Sequence, residues 1–232
     1  MIRFEHIGTH RLETDPFRWA VIRDLFHPAD AHALATTYPC DHFRLVAASG
    51  GEKDYRYEAR PLIAMGANCI SYADNLSDAW RALATDLLSP EYRAAVGTLT
   101  QCDLTQTPIE VNVFHYGAGG SLGPHRDLPE KLVTQVLYFN TSWNTANGGC
   151  LNILGSADPG DVVAEIPPIS GTSSVLVRSE NSWHAVSRVA DDSGSSRRSV
   201  TVTFYRPGSL SSMWPAGDTT PLHSYEEFSK TL

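Results

Sequence analysis

The sequence predicts a mostly β protein with helices gathered near its N-terminus, an α+β architecture. Two observations predict it. Apolar residues recur at helical spacing before residue 108, whereas from residue 109 onward the apolar period becomes two, which is typical of strands. Turn-forming segments rich in Gly, Asn, Asp and Pro separate these runs at residues 144–149, 157–161, 167–171 and 191–196. Many short, evenly spaced strands favour a closed or double-sheet β architecture.

The helical patterns lie in two stretches of the N-terminal half. Residues 27–39 form one predicted helix, which ends near a proline. Residues 76–100 are predicted to form two helices, because a proline interrupts the pattern at Ser89-Pro90. Ser77 precedes the first of these and suits an N-cap, where its hydroxyl accepts a backbone hydrogen bond. We expect the helices to pack on one outer face of the sheet.

The β half contains about eight predicted strands, and no convincing linker divides the chain. We expect one domain over residues 1–232, with a helix-containing support and lid (1–108), a β core (109–207) and a C-terminal tail (208–232). The strand-like segments are residues 109–117, a short stretch around 125, 132–140, 150–154, 161–167, 173–177, 185–189 and 199–205.

Composition excludes several classes of protein. The net charge of -8 disfavours nucleic-acid binding, because a negative surface repels phosphate backbones. No apolar run approaches the ~20 residues that span a bilayer, so no membrane partner is expected. The first residues carry frequent charges, unlike a secretory signal. The four cysteines form no C-x-x-C pair, which argues against a zinc knuckle and favours a cytoplasmic location.

A histidine and an aspartate stand two residues apart in "GPHRDLPEKL", directly after a glycine-rich run. In an extended chain His125 and Asp127 point to the same side, and Arg126 points away. A mononuclear iron site of the facial type needs two histidines and one carboxylate. His184, at the start of a later strand, is the candidate for the second histidine. The alternative for the pair is a polar strand end that meets water.

The last predicted strand, "RRSVTVTFY", carries two consecutive arginines. Arg197 shares one face with Ser199, and Arg198 shares the other with Val200 and Val202. An arginine that enters a barrel needs an anion, because an unpaired buried charge is unfavourable. A guanidinium suits a carboxylate through two parallel hydrogen bonds. These features together predict iron plus a dicarboxylate cosubstrate.

The segment from Glu110 to Pro207 resembles the catalytic core of the iron(II)/2-oxoglutarate-dependent dioxygenases, particularly their prolyl-hydroxylase-like branch. Its elements occur in the order of that family: "YGAGGSLGPHRD", "VLYFN", "NGGCLNIL", "IPPISGTSSVLVRSENSWHAV" and "RRSVTVTFY". The resemblance implies a double-stranded β-helix core, a jelly-roll or cupin-like fold of about eight strands.

The resemblance also implies roles for individual residues. The iron ligands would be His125, Asp127 and His184. Arg197 would bind the distal carboxylate of 2-oxoglutarate with help from Ser199, and Arg198 is the alternative anchor. Tyr138 would join the same carboxylate, and Tyr116 would line the pocket. Each tyrosine could instead be a packing aromatic.

The activity implied by the resemblance is that of an oxidoreductase using iron(II), 2-oxoglutarate and O2, with ascorbate as a reductant. The expected reaction hydroxylates an unactivated C–H bond of a small molecule, an amino acid or natural-product intermediate, and releases succinate and CO2. Asp127 favours hydroxylation over halogenation, because the related halogenating class lacks this carboxylate. Desaturation, cyclisation or epimerisation by the same chemistry is an alternative, and so is a non-catalytic metal- or ligand-binding module.

The polar segment 47–61 is predicted to be a loop or exposed hairpin. As a lid it would place Arg56 and Arg60 at the substrate entrance and favour an acidic substrate. An ordinary solvated loop is the alternative. His115 is expected to face away from the pocket, and Trp183 is expected to pack. The oligomeric state is left open.

Overall fold

The computed structural model describes residues 1–50 and 53–225. Its α-helices are α1 (Phe4–Thr9), α2 (Pro28–Thr36), α3 (Asp78–Leu88) and α4 (Pro90–Thr100), with 3-10 turns at Ala73–Asn75 and Thr145–Asn147. Its strands are β1 (Trp19–Ile22), β2 (Arg44–Ala48), β3 (Tyr55–Ile63), β4 (Ile109–Tyr116), β5 (Ser121–His125), β6 (Lys131–Tyr138), β7 (Leu151–Leu154), β8 (Val162–Ile166), β9 (Ser173–Val177), β10 (His184–Val186) and β11 (Arg197–Tyr205).

The predicted helix break is confirmed. The Ser77 hydroxyl accepts a hydrogen bond from the backbone N–H of Trp80 and begins α3. Ser89 ends α3 and caps α4 in the same way, with Pro90 in the first turn of α4. Proline suits that position because the first helical N–H groups have no intrahelical partner. The helix predicted at 27–39 is shorter than expected and ends at Thr36.

The eight predicted core strands are all present as β4 to β11, and they belong to one antiparallel sheet. The strand order is β1-β9-β6-β11-β4-β3-β5-β10-β7-β8, with β2 paired to β3. The sheet curls into a half-barrel, so the fold is the expected double-stranded β-helix. The opposed strands β5 and β10 form one side of the barrel opening and carry the two candidate histidine ligands.

The N-terminal region is more than a helical support, because it supplies three strands to the same sheet. The short β1 pairs with β9, and β3 lies between β4 and β5. The polar hairpin β2–β3 corresponds to the segment predicted as a loop or hairpin, although residues 51 and 52 of that segment lie outside the described residues. Strand pairing with distant parts of the chain, which has no local sequence signal, creates these elements.

Both faces of the central strands are buried, and they bury different kinds of residue. Val200 and Val202 of β11 pack with the helices in one apolar cluster, which also contains Trp80. The opposite face of β11 turns towards the barrel interior, where Phe114 and Tyr138 belong to a second cluster. The helices therefore cover one outer face of the sheet, as predicted, and the barrel interior is left for polar residues of β11.

The C-terminal segment after β11 packs against the hairpin as far as it is described. The backbones of Phe43 and His223 bond to each other, and the Arg44 guanidinium stacks on Trp214. The last part of the predicted tail, residues 226–232, lies outside the described residues. No helix within the described ranges is long and apolar enough to cross a bilayer.

Candidate metal centre

The structure brings His125, Asp127 and His184 together. His125 ends β5, Asp127 follows it, and His184 begins β10 directly opposite His125 in the strand register. The two imidazole rings have centroids 4.2 Å apart. One ligand atom from each of the three side chains lies within 4.8 Å of the others, and all three are buried. Across the described residues this is the one such group of histidine, cysteine or carboxylate side chains.

Backbone carbonyls orient both imidazoles. The Nδ1 of His125 lies 2.9 Å from the Gly123 carbonyl oxygen, and the Nδ1 of His184 lies 2.9 Å from the Ser182 carbonyl oxygen. A carbonyl only accepts, so each Nδ1 carries the proton and donates it. Each Nε2 is then left with a lone pair for a metal ion. Hydrogen bonds of this kind fix the tautomer and orientation of metal-binding histidines.

The electrostatic surroundings keep the two histidines neutral and the aspartate charged. Burial, together with the neighbouring His184, holds the pKa of His125 well below its usual range, and burial also lowers the pKa of His184. Burial alone would raise the pKa of Asp127, but Lys131 and the two histidines outweigh it and hold this pKa far below its ordinary value. Neutral imidazole and ionised carboxylate are the forms that bind a metal.

Two residues that sequence reasoning missed hold the Asp127 carboxylate. Lys131 Nζ donates to Asp127 Oδ1 at 2.6 Å, and Thr134 Oγ1 donates to Oδ2 at 2.8 Å. Both donors come from β6, which reaches the site only because the chain turns back after Asp127. Asp127 lies outside β6, so strand alternation does not relate its side chain to either donor, and the sequence carried no pattern that could have identified them.

At another part of the same interior, Arg197 is buried and 2% exposed. Its Nη1 donates to Ser199 Oγ at 2.6 Å, and its guanidinium lies over the rings of Tyr116 and Tyr138 at 4.8 and 5.5 Å. Its Nε has no hydrogen-bond partner in the part of the chain that the structure describes. Among the described side chains no carboxylate forms an ion pair with this guanidinium. A buried, incompletely satisfied arginine of this kind fits a carboxylate ligand.

Arg198 lies on the other face of β11, as strand alternation requires. It stands opposite His115 in the register, and its guanidinium lies 5.7 Å from the ring centroid of Tyr38. His115 also faces away from the barrel interior. On that outer side its Nδ1 lies 2.8 Å from Ser196 Oγ. The structure therefore separates the two consecutive arginines, with Arg197 inside the barrel.

The two tyrosines stay protonated at neutral pH. Burial raises the pKa of both Tyr116 and Tyr138 to about 12. The hydroxyl groups of Tyr138 and Ser174 lie 2.9 Å apart. Tyr116 faces Arg197 across the β4–β11 pair, and Tyr138 faces Ser199 across the β6–β11 pair. Both hydroxyls can therefore act as neutral hydrogen-bond donors beside Arg197.

One cavity of about 130 Å³ connects these parts. Its wall includes Tyr116, Arg197 and the three candidate ligands, and most of the remaining wall is apolar. The donor set fits iron(II), because two imidazoles and one carboxylate leave the rest of a coordination sphere open towards the cavity. Arg197 is placed to bind one carboxylate of a dicarboxylate. The other end of that molecule would then face the open part of the coordination sphere.

The lid prediction for the arginines of segment 47–61 is wrong for Arg60. Arg60 is fully buried, and it donates to the carbonyl oxygens of Asp41 and Pro61 at 3.1 Å each. It therefore stabilises the fold rather than the substrate entrance. Arg56 is exposed and lines a different cavity, of about 190 Å³. Tyr57, from the same strand, does reach the cavity of the metal centre.

The comparisons with known proteins agree on the fold. The prolyl-4-hydroxylase of Pseudomonas putida is 21% identical, with a TM-score of 0.54 over 88% of this chain and 96% of that one. A Trichoplax adhaerens prolyl hydroxylase solved with a hypoxia-inducible-factor peptide is 13% identical, with a TM-score of 0.52 over 87% and 88%. The 2-oxoglutarate-dependent epimerase SnoN of nogalamycin biosynthesis is 16% identical, with a TM-score of 0.52 over 95% and 91%. No curated protein sequence matches the chain significantly.

A double-stranded β-helix that gathers two imidazoles and a carboxylate in one cavity is typical of mononuclear non-haem iron enzymes. Residues 111–206 match the family model of the 2OG-Fe(II) oxygenase superfamily. Over these residues the chain is similar to the oxidoreductases that use iron(II), 2-oxoglutarate and O2, and its His-Asp-His cluster fits that cofactor set.

Proposed function

We propose that this oxygenase hydroxylates an unactivated C–H bond of a small molecule, an amino acid or natural-product intermediate, and releases succinate and CO2. One observation supports the proposal above the others. A single cavity of about 130 Å³ is lined by a buried His-Asp-His cluster and by a buried arginine that has no carboxylate partner among the described residues. A cavity lined mainly by apolar side chains with a few convergent polar groups is typical of a small-molecule site.

His125, Asp127 and His184 are the proposed iron(II) ligands. Their carbonyl-bound Nδ1 atoms leave each Nε2 available, and Asp127 supplies one negative charge. Held by these residues, iron(II) would supply the chemistry that couples oxidative decarboxylation of 2-oxoglutarate to oxidation of the substrate. Asp127 would supply the ligand carboxylate that the related halogenating class lacks, and this favours hydroxylation over halogenation.

Arg197 is the proposed anchor for the distal carboxylate of 2-oxoglutarate. Ser199 holds the guanidinium through Nη1, and the rings of Tyr116 and Tyr138 confine it from the sides. A guanidinium held in this way needs little further ordering to form two parallel hydrogen bonds with a carboxylate. The protonated hydroxyl groups of the two tyrosines supply additional donors.

The apolar wall gives the cavity its second function, which is to limit the water that reaches the metal. Leu122, Val136, Leu151, Leu176 and Val186 line it. Exclusion of water strengthens the electrostatic contacts inside the site and limits side reactions. Desaturation, cyclisation or epimerisation would use the same residues, so analysis of the product distinguishes them from hydroxylation.

The test is addition of iron(II) and then 2-oxoglutarate to the protein without oxygen. We expect the weak visible charge-transfer absorption of an iron-bound 2-oxo acid, followed by succinate formation once oxygen enters. His184→Ala should abolish the absorption and retain the fold. Absence of the absorption in the wild-type protein, with iron binding demonstrated separately, would contradict the proposed site.

A further inference from the structure

The two candidate histidine ligands receive their carbonyl acceptors from different kinds of backbone. Gly123, whose carbonyl binds His125, belongs to β5, and its own N–H donates to the Asp54 carbonyl oxygen at 2.8 Å. Ser182, whose carbonyl binds His184, lies in the connection between β9 and β10, outside both strands. Connecting segments are in general more mobile than the strands they join. The acceptor for His184 therefore depends on what holds this connection in place.

The Ser182 side chain holds the connection from inside. Its hydroxyl group donates to the Ser179 carbonyl oxygen at 2.8 Å and accepts from the Ser179 N–H at 3.0 Å. The Ser182 N–H donates to the same Ser179 carbonyl at 3.3 Å, so three hydrogen bonds close the turn 179–182. Ser182 is 2% exposed, and hydrogen bonds are stronger where water is excluded. One buried hydroxyl group thus fixes the turn whose carbonyl orients His184.

A second contact holds the same connection from outside and joins it to the segment of the other two ligands. Arg126 stands between His125 and Asp127, and its guanidinium lies over the Trp183 ring, 4.8 Å from the centroid. Its Nη1 also donates to the Glu180 carbonyl oxygen at 3.0 Å. Arg126 and Glu180 are exposed, so this contact is weaker than the buried one. Protein side chains therefore connect the three candidate ligands without a metal.

We propose that Ser182 is a positioning residue of the metal centre. Its hydroxyl group keeps the Ser182 carbonyl in place, and this carbonyl keeps the His184 ring in the orientation and tautomer that direct Nε2 at the metal. Ser182 is absent from the described wall of the inner cavity, so it acts through His184 and not by direct contact. The proposal rests on the metal site proposed above and adds a residue that supports it.

The experiment measures the affinity of the full chain for Co(II), whose visible absorption reports metal binding directly. Ser182→Ala removes both side-chain hydrogen bonds of the turn and should raise the Co(II) dissociation constant by about tenfold or more, as loss of an outer partner does at other metal sites. Arg126→Gln is the milder second variant, because Arg126 is exposed. It should raise the dissociation constant by about two- to fivefold, the loss expected for one partly exposed cation–π contact.

Ser193→Ala is the matched control for a general loss of stability. Ser193 is also buried, and its hydroxyl group donates to the Ser195 carbonyl oxygen at 2.8 Å in the connection between β10 and β11, which carries no candidate ligand. Urea unfolding compares the stability of the two serine variants. We expect a similar loss of stability in both, with weaker Co(II) binding only in Ser182→Ala. Equally weakened binding in Ser193→Ala would overturn the proposal.

The second readout is the ring ¹⁵N NMR spectrum of the metal-free protein, in which protonated and unprotonated ring nitrogens have separate shifts. His184 should show a single tautomer with the proton on Nδ1 in the wild-type protein, and a mixture of tautomers in Ser182→Ala. A mixture in the wild-type protein, or an unchanged Co(II) dissociation constant in Ser182→Ala, would overturn the proposal. Should Ser182→Ala fail to fold, an unchanged constant in Arg126→Gln would do the same. Failure of the wild-type protein to bind Co(II) would instead contradict the proposed metal site itself.

Discussion

Lys131 and Asp127 form an ion pair of 2.6 Å inside the candidate metal centre, and Thr134 binds the second oxygen of the same carboxylate. The pair is largely buried, with side-chain exposures of 20% and 8%. Both carboxylate oxygens are therefore fixed before any metal arrives. Lys131 offsets the unfavourable burial of Asp127, a role that a bound divalent ion can also fill.

The first prediction concerns this ion pair. Lys131→Met should lower the free energy of unfolding of the metal-free protein by about 1–3 kcal/mol, because Asp127 keeps its charge but loses its counter-ion. Saturating Zn(II) should reduce the difference from the wild-type protein, since the metal then neutralises Asp127. Urea unfolding with and without Zn(II) measures both effects. A loss that is equal in both conditions would mean that Lys131 acts only through packing.

The second prediction separates the two arginines of β11. Arg197→Gln should raise the 2-oxoglutarate KM by tens-fold or more, because a buried carboxylate would lose a charged partner worth about 2–5 kcal/mol. Arg198→Gln should change the KM little, since Arg198 lies on the opposite face. Succinate formation at varied 2-oxoglutarate concentration measures both. The reverse ranking would exclude Arg197 as the anchor.

The third prediction is a pH dependence of stability. Burial lowers the pKa of His125 and of His184, so the unfolded chain takes up protons at higher pH than the folded chain. The metal-free protein should be most stable above the unfolded imidazole pKa of about 6.5 and lose stability as the pH falls below it, by up to about 1.4 kcal/mol per pH unit for each group. Urea unfolding between pH 7.5 and 5.5 measures the slope. His125→Gln should make the slope shallower, and an unchanged slope would assign it to other groups.

The fourth prediction concerns Arg60. Arg60→Met should destabilise the fold by about 2–4 kcal/mol, because buried carbonyl groups of Asp41 and Pro61 lose their donor. Arg56→Met, at the exposed end of the same strand, should change stability by about 0.5 kcal/mol or less. Thermal and urea unfolding of both variants test this. Equal stability of the two variants would show that the buried guanidinium is dispensable.

Local patterns in the sequence determined much of this protein. Alternation of apolar residues predicted most of the strands from β4 to β11. Ser77 predicted where α3 begins, and the break at Ser89-Pro90 predicted where α4 begins. Two-residue spacing placed His125 beside Asp127, and the same alternation separated Arg197 from Arg198. These features depend on backbone geometry over a few residues, which sequence spacing reports directly.

Only the tertiary structure decided which distant residues meet. The pairing of β3 with β4 and β5 and the burial of Arg60 depend on chain segments far apart in sequence. Lys131 meets Asp127 because the chain turns back after Asp127. Pairing between distant strands and burial of a charge depend on residues that come close only in the folded protein. The periodicity of apolar residues shows which face of a strand a residue occupies. It does not show which residues pack against that face.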